Sequence, residues 1–288
     1  MSKKIKKSDV VIYEPHYRGK VSFFASCLTM WKNIIASRYL IYQLFKRDFL
    51  FAYKRSFLSV GWFFISPLLG IISWVLMNAT NILAPGDVGM PYPAYILIST
   101  SIWGLFMGFY QSASDSLYTG LPFILDIKCP QEILLVKQTA QHLAGFLLGF
   151  AITIAVLFIF QIRISWTIIF FPLAVLPLFF LGASIGLVAA IFRVVMPDLK
   201  RWLDFGMQLL MFVTPVIYSE KVESDLLQQI IKYNPLTYLV AGARDTLIRG
   251  SIEHLEEFLL SCIFSLAIFM LASRAMYLSE DKIIERMF

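Results

Sequence analysis

The sequence predicts an all-α polytopic membrane protein. It has six transmembrane helices and an N-terminal amphipathic interface helix. Short re-entrant or interfacial helices lie on the outer side between spans five and six. Three observations carry this prediction. Hydrophobic residues make up 58% of the 288 residues and charged ones only 15%, against about 25% charged in a soluble domain. The uncharged residues fall in runs long enough to span a bilayer. The basic residues collect on one side of those runs. The first observation alone excludes an ordinary soluble enzyme and a disordered chain.

Residues 1–55 read as a basic cytoplasmic segment. They hold twelve Lys and Arg against three acidic residues, Asp9, Glu14 and Asp48. A basic arm beside a hydrophobic span faces anionic lipid rather than nucleic acid. The apolar run Val21–Trp31 is too short to span, and no A-x-A-like site follows, so no cleaved signal peptide is expected. Val21, Phe24, Leu28, Trp31 and Ile35 recur at steps of three and four, as one face of a helix does. A second stripe runs through Ile41, Leu44, Phe45, Phe49 and Ala52, with Lys46, Arg47, Lys54 and Arg55 around it. Such a helix lies in the headgroup plane. The alternative is a soluble helix packed on a partner.

Residues 56–278 form the transmembrane domain. Residues 56–86, 88–114, 138–162 and 164–192 contain no Asp, Glu, Lys or Arg. Each suffices for one helix, since about 20 residues cross the hydrocarbon core. The expected cores are 57–79, 93–114, 139–160 and 168–191, the last kinked or tilted by Pro172 and Pro177. Residues 205–219 and 258–273 are shorter. The fifth reaches spanning length only by starting near Leu199–Trp202, with Lys200 and Arg201 snorkelling. The sixth does so by including Arg274. Between spans two and three, 115–137 reads as a polar, helix-breaking cytoplasmic loop. The outer segment 219–255 carries apolar patches at Leu226–Ile231 and Pro235–Ala243. Residues 279–288 are a cytoplasmic tail. Alternate segments hold 20 and 5 basic residues, which puts both termini in the cytoplasm.

Several chemistries are weighed and set aside. Gly182-Ala-Ser184-Ile-Gly186 matches the G-x-S-x-G elbow of serine hydrolases, but it lies inside an apolar helix with no acid in the neighbouring cores. It reads better as Gly-x-x-x-Gly packing, as do Gly104 with Gly108 and Gly145 with Gly149. No catalytic residue is expected. The first four cores lack any charge, which weakens an ion-coupled secondary transporter. A membrane glycosyltransferase or acyltransferase would need a constellation of carboxylates or histidine that is not apparent. No phosphate-binding loop occurs, since Gly19-Lys20 is followed by Val21. Cys27, Cys129 and Cys262 show no metal-ligand spacing and read as structural. Aromatics mostly belong to interface belts and packing. A minority would line a path, and the candidates are Trp62, Phe63 and Trp74 in the first span and Phe205, Phe212 and Tyr218 in the fifth.

Three stretches together resemble one known family. Lys46-Arg-Asp48-Phe-Leu-Phe-Ala-Tyr53-Lys54-Arg55-Ser56, running to Gly61-Trp62 and Ser66-Pro67-Leu68, resembles the start of a type 2 ABC exporter membrane subunit of the polysaccharide, O-antigen and teichoic-acid exporters. Lys128-Cys-Pro130-Gln-Glu132-Ile-Leu134 resembles that family's cytoplasmic element after span two. Met196-Pro-Asp198-Leu199, Thr214-Pro215-Val-Ile-Tyr218 and Tyr233-Asn234-Pro235-Leu236-Thr237 are similar to its later signatures, in order. This chain departs in having Pro197 where the family often has Arg, and Cys-Pro-Gln-Glu where it often has Phe-Pro-Arg-Glu.

The resemblance implies an inner-membrane permease that homodimerises and binds two cytoplasmic ATPase subunits. ATP and Mg then belong to the partner, with no cofactor in this chain. It implies an interface helix over 28–55 and a coupling element over 126–135. Lys46, Arg47, Asp48, Tyr53, Lys54, Arg55, Lys128, Pro130 and Glu132 are the expected coupling residues. For Asp48 and Glu132 the competing reading is a merely solvated carboxylate. The implied substrate is a lipid-linked glycan of the O-antigen kind. A teichoic acid, a capsule polymer or a small molecule are the alternatives.

Overall fold

The computed structural model describes residues 22–54, 57–127, 130–220 and 224–286. Among these there is no strand. The helices are α1 (Phe23–Ala36), α2 (Arg38–Lys54), α3 (Phe57–Ala79), α4 (Tyr92–Ile127), α5 (Gln131–Ile159), α6 (Phe171–Ala174), α7 (Leu176–Val195), α8 (Pro197–Val213), α9 (Asp225–Tyr233), α10 (Pro235–Ile248) and α11 (Leu255–Arg286). A 3-10 turn, Trp166–Phe170, precedes α6.

Four stretches are long and apolar enough to cross a membrane: Tyr92–Tyr118, Gln131–Ile159, Trp166–Arg193 and Leu255–Ser279. They match expected spans two, three, four and six. α3 carries a shorter apolar stretch, Ile65–Ala79, and coincides with the first expected core. The fourth span is interrupted as its prolines require. Pro172 and Pro177 sit in the first turns of α6 and α7, with Val175 between the helices. Proline lacks the N–H that an uninterrupted helix would need there.

Two expectations are corrected. The segment 115–137 is not a loop, because α4 runs on to Ile127 and α5 restarts at Gln131. Polar residues do not stop a helix that has left the bilayer. The restart is set at Pro130, whose fixed φ and missing N–H suit the edge of a helix. The fifth helix is also shorter than expected. α8 covers 17 residues and ends at Val213, before Thr214-Pro215. At 1.5 Å per residue it reaches only about 26 Å, short of a ~30 Å core. The last helix, α11, continues to Arg286.

α4 is the centre of the molecule. Ile96, Leu97, Ile98, Ile102, Leu105 and Phe106 are fully buried, and its most extensive partners are α7 and α5. α7 can lie close because Gly182 and Gly186 face α4. A Cβ built on Gly182 would stand 2.9 Å from the Phe106 carbonyl oxygen, and one on Gly186 would stand 2.3 Å from that of Tyr110. Glycines one turn apart permit such backbone approach. Gly108 meets the ring of His142 on α5, whereas a Cβ on Gly104 would meet nothing within 4 Å. Gly104, Gly145 and Gly149 line a groove with Ser66, Pro67 and Gly70 of α3. α11 covers the other side of α7, where Phe179, Phe180 and Phe269 form a ring cluster.

These contacts generate a prediction. Gly186→Val forces a side chain onto the α4 backbone, and overpacking of this kind costs roughly 1–3 kcal/mol. The unfolding midpoint of the detergent-purified protein should fall clearly. Gly104→Ala should leave it within error. Equal midpoints for the two variants would contradict the packing.

Candidate functional site

Charged side chains gather in two layers at opposite ends of the bundle. At one end α1 and α2 rest on the start of α5. Asn33 Nδ2 donates to Glu132 Oε1 at 2.7 Å, and Glu132 is only 5% exposed. A carboxylate in the first turn of α5 is also favoured by the helix dipole. Five residues on, Lys137 Nζ donates to Asp48 Oδ2 of α2 at 2.9 Å. Asp48 Oδ1 accepts from Arg47 Nε at 2.7 Å. Burial pushes the Asp48 carboxyl up, but the Lys137 and Arg47 donors outweigh it and hold it below the ordinary carboxylate value. The first turns of α5 therefore hold α1 through an acceptor and α2 through a donor.

α1 leaves an apolar side uncovered. Phe24, Leu28, Trp31 and Ile35 of α1 are exposed, whereas Ser26 is fully buried. On α2, Leu44 is buried and Phe45 stacks on Phe49 at 5.3 Å. Lys46 is exposed. Pro130 immediately precedes α5. Arg55 and Lys128 lie outside the described residues, as do the side chains of Tyr53, Lys54, Trp62 and Phe63.

A second ionic group at the same end links α4, α7 and α8. Arg193 NH1 contacts Asp115 Oδ1 at 2.6 Å, and Lys200 Nζ stands 3.8 Å from the same oxygen. Lys200 also pairs with Asp204 at 2.8 Å, and Tyr110 donates to Asp204 at 2.7 Å. The Arg193 guanidinium lies 3.9 Å from the centre of the Tyr118 ring, a cation–π contact. Sequence reasoning missed this group. The i,i+4 spacing of Lys200 and Asp204 was its one visible signal. Pro197, in the first turn of α8, starts that helix after the extended residue Met196. Arg193, four residues earlier, makes the ion pair that Pro197 cannot.

Among the aromatic candidates, Trp74 and Phe212 meet edge to face at 6.1 Å. Tyr218 donates to the Phe212 carbonyl at 2.8 Å. Phe205 and Phe212 are two turns apart on α8 and exposed, together with Trp202 and Leu209. This makes an aromatic stripe along one side of α8.

The other end of the bundle completes the short fifth helix. After Val213 the chain runs without helical hydrogen bonds, and tyrosines of α4 satisfy its carbonyls. Tyr92 donates to Ile217 O at 3.0 Å, and Tyr95 to Tyr218 O at 2.7 Å and Pro215 O at 3.2 Å. Asn234 Nδ2 donates to Thr214 Oγ1 at 2.9 Å, while its Oδ1 caps α10 through Leu236 N. Thr214-Pro215 and Asn234-Pro235-Leu236, separate in sequence, are thus one structural unit. α10 is buried along almost its whole length, including Arg244 and Asp245. Arg244 donates to the Tyr95 hydroxyl at 2.9 Å and to Glu220 at 3.1 Å. Burial raises the Asp245 carboxyl, against the pull of Arg244 and Arg249.

No protein-family model matches the chain. Curated relatives do. An O-antigen export system permease protein RfbA of Klebsiella pneumoniae is 25% identical over 247 residues, covering 80% of this chain and 90% of that protein. Another of the same name and organism is 21% identical, covering 75% and 82% respectively. One from Myxococcus xanthus is 20% identical, covering 73% and 81%. The chain is thus similar to O-antigen export permeases over most of its own length and most of theirs.

Proposed function

We propose that the chain is the membrane subunit of an ATP-driven exporter that moves a lipid-linked, O-antigen-like polysaccharide across the inner membrane. It acts as a homodimer with two cytoplasmic ATPase subunits. The observation that carries this reading is the similarity to O-antigen export permeases over 80% of this chain and 90% of the relative. In this reading α3, α4, α5, the α6–α7 pair, α8 and α11 are six spans, with both termini cytoplasmic. The charge-free cores of the first four supply no ion-coupling group, so the energy is delivered at the cytoplasmic end.

The clamp on α5 gives that delivery a route. A push on the segment joining α4 to α5 moves Glu132 and Lys137 together, and with them α1 and α2. Asp115, Arg193 and Lys200 pass the displacement to α7 and α8. The aromatic stripe of α8, with Trp74 beside it, then forms part of the wall along which the glycan slides, its C–H faces against the rings. Glu132 acts here through Asn33 as a positioning residue. The parent test is deletion of the gene in its host, followed by complementation. Surface glycan should disappear and return, and retention of surface glycan in the deletion would refute the reading.

Substitutions on both sides of the clamp examine it. Glu132→Lys removes the acceptor of Asn33 and places a cation against the helix N-terminus. Export should fall by about tenfold, the equivalent of ~1.4 kcal/mol, with membrane insertion intact. Glu132→Gln keeps the oxygen that Asn33 uses and should retain most export. Equal loss in both would mean that the charge, and not the tie, matters. Lys137→Met leaves Asp48 with Arg47 alone, so α2 should become sensitive to limited proteolysis. Adding Asp48→Asn should restore part of the protection, since the uncompensated carboxylate is then gone. Because the folded Asp48 carboxyl is held below its usual 3.8, its contribution is complete above that value and lost only as pH falls through the lower one. The protection of α2 in the unsubstituted protein should therefore be the same at pH 5.5 as at pH 7.5.

A further inference from the structure

A large cavity in the described structure lies away from the aromatic wall. It opens at the end where α9, α10 and the start of α11 meet the segment before α4, with a volume of about 760 Å³. That is the size of a small-molecule binding site rather than a packing defect. Five carboxylates and three basic side chains line it. Two of the cations are already engaged. Arg244 is held by Glu220 and the Tyr95 hydroxyl, and Arg249 by Asp245 and Glu253. The electrostatic balance therefore disfavours an anion such as a phosphate. Lys232 and His254 also line the cavity, beside a group of polar side chains, Gln228, Gln229 and Glu257, and the ring of Tyr238. Thr237 lines the same cavity. It is 2% exposed, and its hydroxyl has no hydrogen-bond partner. A buried hydroxyl left without a partner costs free energy that a hydrogen-bonding ligand would offset.

We infer that this cavity is a saccharide-binding site at the extracytoplasmic end of the subunit, which takes uncharged, hydroxyl-rich sugar units of the exported chain. Carboxylates accept hydrogen bonds from paired hydroxyls, and amides both accept and donate. A tyrosine ring offers a face to sugar C–H groups. The Arg244–Glu220–Tyr95 contacts fix one wall, so that the site is formed before ligand arrives. The site also touches the tyrosine-held end of the fifth span, since Tyr95 both supports residues 215–218 and lines the cavity. Sugar bound there lies beside the terminus of the aromatic wall and would hinder the chain from slipping back.

This inference rests on the exporter reading, and the test separates the two. A photo-crosslinking amino acid is placed at Gln229 or Glu257 in the full chain, expressed with its native partners in the host and irradiated during export. A control is placed at Leu259, two residues along α11 and exposed on its opposite side. Glycan-bearing ladders are expected from 229 and 257 and not from 259. The Gln229→Ala/Tyr238→Ala double variant should lower surface glycan at least threefold, at unchanged protein level and unchanged ATP hydrolysis by the complex. Normal export without a ladder at 229 or 257, or with an equal ladder at 259, overturns the site and leaves the exporter reading standing. Normal surface glycan in a strain lacking the chain overturns both.

Discussion

Helices α4 and α7 meet backbone to backbone, with Gly182 against the Phe106 carbonyl and Gly186 against that of Tyr110. Other major contacts are built outward from this one. α5 packs on one side of α4, and α11 on the far side of α7. The same helix pair continues to the Asp115–Arg193 ion pair, where α8 is attached. At the opposite end α4 supplies the tyrosines that hold the residues after α8, one of which also binds Arg244. A single close approach therefore fixes both ends of the molecule relative to each other. This is needed if movement at one end is to be felt at the other.

Apolar interiors have a second effect. Charge has nowhere to go except the ends, and there the chain makes few but specific pairs. Buried ion pairs add little net stability, because desolvation offsets attraction, but leaving one partner alone is costly. Glu132, Lys137 and Arg244 are well suited to registering helices against one another. Each has a partner distant in sequence, and each would be an uncompensated buried group if its helix slid.

Much of the fold was legible because it follows from local rules. Charge-free runs located four of the long helices, Pro172 and Pro177 marked the break in the fourth span, and the periodicity of Phe24, Leu28, Trp31 and Ile35 marked a helix with an unpartnered side. The length of α4 was misread because Asp126, Lys128 and Pro130 suggested a loop, whereas a helix outside the bilayer tolerates charge. The fifth helix was overestimated because hydropathy continues through Pro215 to Tyr218 although helical hydrogen bonding does not. Apart from the i,i+4 spacing of Lys200 and Asp204, the ionic pairings were invisible. Asp115 and Arg193 are 78 residues apart, and nothing local to either names the other. Asn33 with Glu132 is the same case at a separation of 99.

The early end of α8 changes what surrounds it. Over residues 214–218 the chain presents carbonyl groups that depend on two tyrosine hydroxyls. Both hydroxyls come from α4, so the end of α8 is finished by a different helix. Removing either one leaves a carbonyl that only water or another protein donor can meet, since lipid tails offer no hydrogen bond. The way α8 ends is thus as much a property of the α4 sequence as of its own.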